Sequence, residues 1–309
     1  MMYCKTTFVS ITVFLLAMFS SDFVGAGELA ANLEKQILSA SPDQPVKVWI
    51  KLQAADDRTA RRTAAVGKSI SRVERYRTAA NRLKDTHFEM QKTLLTELNR
   101  LRVEDRARNI KPHWLINAVE AEVSTGEIAL LAARDDVEMI YPVPEIHLIT
   151  PDKSDQIPAH GTAVSGVGQN LSAINADDVW ATGFTGEGRL ICSFDTGVDG
   201  DHPALSGNWK GNDGNYGAAW FFPYDTGDGT PRAVPDCGYT NGCAINHGTH
   251  VMGTMVGHDD ATGDTTGVAP GAKWISAAVI DIAGTSIIDA FEWAVNPDGD
   301  LNTVDDVPD

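Results

Sequence analysis

The stretch Gly188-Arg-Leu-Ile-Cys-Ser-Phe-Asp-Thr-Gly-Val-Asp-Gly200 decides the fold. A short apolar run ends at a carboxylate, Asp195, and a Gly- and Asp-containing turn follows. The run reads as a buried strand with Asp195 at its carboxyl end. Downstream, the small and apolar Gly248–Gly257 reads as a helix. Trp274-Ile-Ser-Ala-Ala-Val-Ile280 is a second buried strand, and Ser286–Val295 a second helix. Asp177–Thr182, upstream, looks helical, whereas Gly207–Ala244 is rich in Gly, Asn, Asp and aromatics and is mostly loop. Strand, loop, helix, strand, helix at this spacing implies βαβ units and a parallel sheet, an α/β fold. Functional groups in such a sheet gather at the carboxyl ends of its strands.

Before residue 150 the pattern is different. Pro45–Leu52 alternates apolar and polar residues and reads as a strand. From Ser69 to Arg108, apolar residues recur every three or four positions, among them Val73, Tyr76, Ala80, Leu94, Leu98 and Leu101. This is the face of one long amphipathic helix or of two in succession. Its Arg-rich remainder is a solvated face. Trp114–Val123 and Asp136–Val143 read as further strands, and Thr125 as the N-cap of a helix over Glu127–Arg134. These elements predict a small sandwich of antiparallel strands on helices. Pro151–Asn170 is polar, without a clear period, and reads as a linker.

Charge marks the same boundary. Residues 27–150 carry 19 basic and 18 acidic side chains, and residues 151–309 carry 5 and 23. A net charge of −17 over 309 residues, 43% of them hydrophobic, fits about two folded domains and argues against nucleic-acid binding. Residues 1–26 have a charged start, an apolar run over Phe8–Phe19 and small residues at Val24-Gly25-Ala26. That is the layout of a secretory signal peptide, and the run is short for a spanning anchor, the competing reading. The mature protein is expected to be secreted, with no membrane attachment after signal cleavage. Cys237 and Cys243 frame a short loop and are candidates for a disulfide in that setting, while Cys192 reads as a buried thiol.

The chemistry lies in two motifs, Asp195-Thr-Gly and Asn246-His-Gly-Thr-His-Val251. An Asp at a strand end and a His at a helix start can meet. The carboxylate then orients the imidazole and stabilises its protonated form. The Gly-Thr after His247, together with Gly253, would let the helix pack closely on neighbouring backbone.

These motifs resemble those of the subtilisin-like serine proteases, and Met252–Gly257 with Gly267-Val-Ala-Pro-Gly-Ala-Lys-Trp274 resembles their bacillopeptidase F-like branch. The resemblance implies an α/β subtilisin-like parallel sheet with flanking helices, present as its N-terminal part over 171–309. It also implies a signal peptide at 1–26, a small ferredoxin-like α+β inhibitory propeptide at 27–150, and a linker with the maturation site at 151–170. It implies a triad in the order Asp, His, Ser, with Asp195 as orienter and His247 as base. Partners would be protein or peptide substrates and the chain's own propeptide in cis. No cofactor is required.

The family's serine lies in a Gly-Thr-Ser-Met-Ala motif far downstream of the His, and Asp309 lies only 62 residues past His247. The sequence thus reads as the front of a protease, carrying Asp and His but neither the serine nor the oxyanion-hole Asn, and expected to be inactive as it stands. Gly284-Thr-Ser286 is followed by Ile287 and is not the nucleophile. Two other functions compete. One is a truncated, inactive subtilase whose propeptide inhibits or chaperones a related protease. The other is a binding protein on a protease-like scaffold. His247 and His250 at i and i+3 suggest zinc only weakly, since no Glu follows His247. His250 reads as a packing residue, and His202 before Pro203 as structural. Asp298, Asp300, Asn302 and Asp305 alternate like a calcium loop, as do Asp225 and Asp228 more weakly. The spacing is incomplete, so a solvated acidic loop is the stronger reading and structural calcium the weaker.

Overall fold

The computed structural model describes residues 27–54, 71–148, 166–224, 247–282 and 284–309. The expected signal peptide, most of the expected linker, Asp225, Asp228, Cys237 and Cys243 lie outside the described residues. By their contacts the described residues form two compact units. One comprises 27–54, 90–112 and 116–143, and the other 71–89, 113–115 and everything from 144 onward.

The first unit runs β1 (Glu28–Leu29), α1 (Ala31–Ser39), β2 (Pro45–Leu52), α2 (Arg72–Val103, whose first half groups with the second unit), β3 (Ala107–His113), β4 (Ala118–Ser124), α3 (Thr125–Ala132) and β5 (Val137–Pro142). Its five-stranded sheet has the order β1-β5-β2-β4-β3. β2 is antiparallel to both β4 and β5, and β1 is parallel to β5. From β2 to β5 the succession is βαββαβ, a split βαβ arrangement. The alternation in β2 buries Val46, Val48, Ile50 and Leu52 against Leu94, Leu98 and Leu101 of α2.

Three local expectations change. The long helix is single and ends at Val103, not Arg108. The strand expected from Trp114 begins at Ala118, and an unexpected strand, β3, precedes it. Thr125 is not an N-cap. It is the first residue of α3, and its hydroxyl donates to the Ser41 carbonyl at 2.6 Å.

The second unit continues with α4 (Gln169–Ala173), α5 (Ala176–Ala181), β6 (Leu190–Asp195), α6 (Pro203–Ser206), a 3₁₀ turn (Lys210–Asp213), β7 (Trp220–Phe221), α7 (His247–Val256), β8 (His258–Asp259), β9 (Asp264–Thr265), β10 (Lys273–Ala278) and α8 (Ile287–Val295). The sheet β6-β10-β7 is parallel throughout, with Leu190 opposite Lys273 and Asp195 opposite Ala278. β10 is buried along nearly its whole length, as a central parallel strand must be. Trp274 is fully buried there among Leu205, Met252 and Val256, and its indole N–H donates to the Leu205 carbonyl at 2.8 Å. No helix among the described residues is long and apolar enough to cross a membrane.

Candidate active site

Asp195 ends β6 at the carboxyl edge of the parallel sheet. Its backbone carbonyl accepts from Val279 N and Ile280 N, at 2.8 and 3.1 Å, which ties it to the chain leaving β10. Its side chain is 8% exposed, so the carboxylate needs partners. Oδ1 has two: the Thr196 N–H at 2.7 Å and His247 Nδ1 at 2.7 Å.

His247 is the first residue of α7, and its side chain is 44% exposed. With Nδ1–H donating to Asp195, Nε2 carries the lone pair and can take a proton from a group beside it. The carboxylate fixes that tautomer and stabilises the imidazolium once formed.

Backbone contact sets the pair. A Cβ on Gly248 would stand 2.1 Å from the Gly197 carbonyl oxygen, so only glycine lets α7 reach the loop after β6. Gly197 itself has φ +116°, in the left-handed region that glycine favours. Two hydroxyls stitch the contact together. Thr196 Oγ1 accepts from Gly248 N at 3.2 Å, and Thr249 Oγ1 accepts from Asp199 N at 2.9 Å. Both threonines lie within the Asp195-Thr-Gly and His247-Gly-Thr motifs, but the hydroxyl bonds they make are not legible in the sequence. Gly253 does not mediate close packing, because a Cβ there would meet its nearest neighbour at 4.0 Å.

The remaining candidates fall elsewhere. His250 is exposed on α7 rather than packed. His202 caps α6, its Nδ1 accepting from Ala204 N at 3.2 Å. Ser286 is buried at the start of α8. Cys192 is partly buried, and burial pushes its thiol up to about 12. In the acidic loop, Asp298 and Asp300 accept from backbone N–H groups two residues on, and Asp306 accepts from Asp298 N at 2.9 Å. Beyond β10, Asp281 meets the segment after β5. Its N–H donates to the Ile146 carbonyl at 2.9 Å, and its carboxylate pairs with His147 Nδ1 at 3.0 Å and accepts from Leu148 N at 3.2 Å.

Residues 186–304 match the subtilase family. The chain is similar to bacillopeptidase F of Bacillus subtilis, 29% identical over 279 residues that cover 84% of this chain and 18% of that protein. It is 32% identical to the minor extracellular protease Vpr of the same organism, over 58% of this chain and 21% of that protein. Subtilisin E is 31% identical over 46% of this chain and 33% of its own length. The chain thus spans a third or less of each of these relatives. The parallel sheet with its flanking helices agrees with that match: residues 186–304 are subtilase-like, and the chain is similar to the bacillopeptidase F-like branch.

Proposed function

We propose that the chain is the front part of a secreted serine endopeptidase, with Asp195 and His247 as two members of its Asp-His-Ser triad. The observation that carries this reading is the 2.7 Å hydrogen bond between a nearly buried strand-end carboxylate and a half-exposed imidazole. In that role His247 Nε2 takes the proton from the serine hydroxyl as it attacks the peptide carbonyl. It then returns that proton to the leaving amine, while Asp195 holds the ring and its charge. The serine and the oxyanion donor would come from the family's downstream motifs. The polypeptide 27–309 alone is therefore expected to hydrolyse no peptide bond.

Residues 27–150 are read as an inhibitory, folding-assisting propeptide removed by cleavage between Thr150 and Asn170. The βαββαβ order of its elements supports this reading, as does the attachment of Ile146–Leu148 to Asp281. Asp281 directly follows Ile280, whose N–H bonds Asp195. The Ile146–Leu148 segment thus reaches the sheet edge that carries the catalytic carboxylate. Export is supported by the signal-like residues 1–26 and by similarity to a protease named as extracellular.

The test is peptide hydrolysis by the protein carried through its serine motif. Asp195→Asn and His247→Ala should each lower turnover by several orders of magnitude with folding intact, and His250→Ala should change it little. A crippled His250→Ala beside an active His247→Ala would reverse the assignment.

A further inference from the structure

We propose that His113, Asp289 and Glu292 form a binding site for one divalent transition-metal ion, zinc by the chemistry of its donors. His113 is the last residue of β3 and groups by its contacts with the second unit, to which Asp289 and Glu292 also belong. The two carboxylates lie one turn apart on α8, so they leave the same helix face. One ligand atom from each of the three residues lies within 4.8 Å of the others. His113 Nδ1 stands 3.6 Å from Asp289 Oδ1 and 3.6 Å from Glu292 Oε2.

Those separations carry the argument. At 3.6 Å neither approach is a hydrogen bond. Two ligands on zinc–ligand bonds of about 2.0–2.1 Å, at the tetrahedral angle, stand roughly 3.4 Å apart. The imidazole nitrogen and each oxygen are therefore spaced as neighbouring corners of a zinc tetrahedron.

Burial and orientation point the same way. The His113 side chain is 0% exposed, that of Glu292 15% and that of Asp289 19%. Two carboxylates so placed beside an imidazole gain from a compact dication, whose charge they neutralise. Glu292 is also held in position. Its Oε1 accepts from Trp114 N at 2.6 Å and from Leu115 N at 2.9 Å, and Oε2 is the oxygen turned toward the imidazole. Backbone partners of this kind orient metal-ligating side chains. The donor set chooses the ion. Calcium and magnesium take oxygen ligands, whereas one imidazole with two carboxylates suits zinc. A bound ion would fasten His113–Leu115 to α8. The inference does not depend on the protease reading.

The test is calorimetric titration of zinc chloride into the full chain after chelator treatment, at pH 7.5. Asp289→Asn and His113→Gln are measured beside it, and His258→Gln and His250→Gln serve as controls. One saturable site is expected. Loss of a ligand should weaken it by more than about 100-fold, the upper range for loss of a ligand's orienting partner. The controls should bind like the parent. Affinity should also fall as the solution is acidified, because protons compete with the ion for its ligands. Zinc should raise the unfolding temperature of the parent and not that of Asp289→Asn, a readout that also reports whether the variant is folded. If Asp289→Asn does not fold, His113→Gln decides. No zinc uptake by the parent, or unchanged uptake by the folded ligand variants, would overturn the site.

Discussion

Gly248→Ala separates two accounts of the Asp195–His247 pair, one in which side chains alone hold it and one in which the backbone approach of α7 does. The added Cβ would stand 2.1 Å from Gly197 O, 3.0 Å from Gly197 C and 3.1 Å from Gly197 N. All three are backbone atoms, so no side-chain rotation relieves the overlap. Carbon–oxygen contact is comfortable from about 3.3 Å, so helix and loop must part by roughly 1 Å. That gap is spanned by the Gly248 N–Thr196 Oγ1 and Asp199 N–Thr249 Oγ1 bonds. Overpacking costs about 1–3 kcal/mol, and a buried donor left without its acceptor about 1–3 kcal/mol more. Alanine returns about 1 kcal/mol through its better helix propensity. The net loss should be about 1–5 kcal/mol, which lowers the midpoint of thermal unfolding by roughly 2–4 °C for each kcal/mol. Turnover in the protein carried through its serine motif should fall by about 100-fold, the cost of roughly 1 Å of misplacement. Gly217→Ala is the control, because its Cβ would meet nothing nearer than Asn215 Oδ1 at 3.9 Å. If both variants unfold at the parent's temperature and keep its activity, the backbone account is wrong.

Cys192 should resist iodoacetamide at pH 8 in the native chain and react in denaturant, since burial pushes its thiol up to about 12 and the thiolate is the reactive form; rapid native labelling, read by peptide mass spectrometry, would contradict this. The hydrogen bond that His147 donates to the Asp281 carboxylate, and after it the one it donates to Glu145, raise its pKa. A raised folded-state pKa gives an attachment fully present below the ordinary histidine value and lost as pH rises through the folded one. Protection factors for hydrogen exchange at Leu148 and Asp281, corrected for the intrinsic rate at each pH, should therefore fall from pH 5 to pH 8, and His147→Gln should flatten that dependence. Expression of the protease without 27–150 should yield little active enzyme, because a parallel sheet with distant pairings folds slowly without a template. Added 27–150 should inhibit the mature form, and a normal yield or an absent inhibition would sink the corresponding half of the propeptide reading.

How much of this was legible in the sequence depends on how far each signal reaches along the chain. β2 and β6 declare themselves because their burial is local: alternation in one, and in the other an apolar run that stops at Asp195. β3 hides because it is the edge strand beyond β4. One side of it has no strand among the described residues, so Arg108, Asn109, Lys111 and Pro112 are tolerated and the alternation fades. The apolar spacing therefore carries the expected helix on to Arg108 and starts the next expected strand at Trp114, four residues before Ala118. The site divides in the same way. Asp195 and His247 each sit in a local pattern, an apolar strand in one case and a Gly-Thr helix start in the other. The hydroxyls of Thr196 and Thr249 carry no period, and each finds its partner about fifty residues away. His113 and Glu292 are further apart still, joined only after the turn following β3 meets α8. Local pattern can therefore nominate a residue that the chain's own periodicity isolates. It cannot nominate one whose role is made by a contact that exists only once the chain has folded.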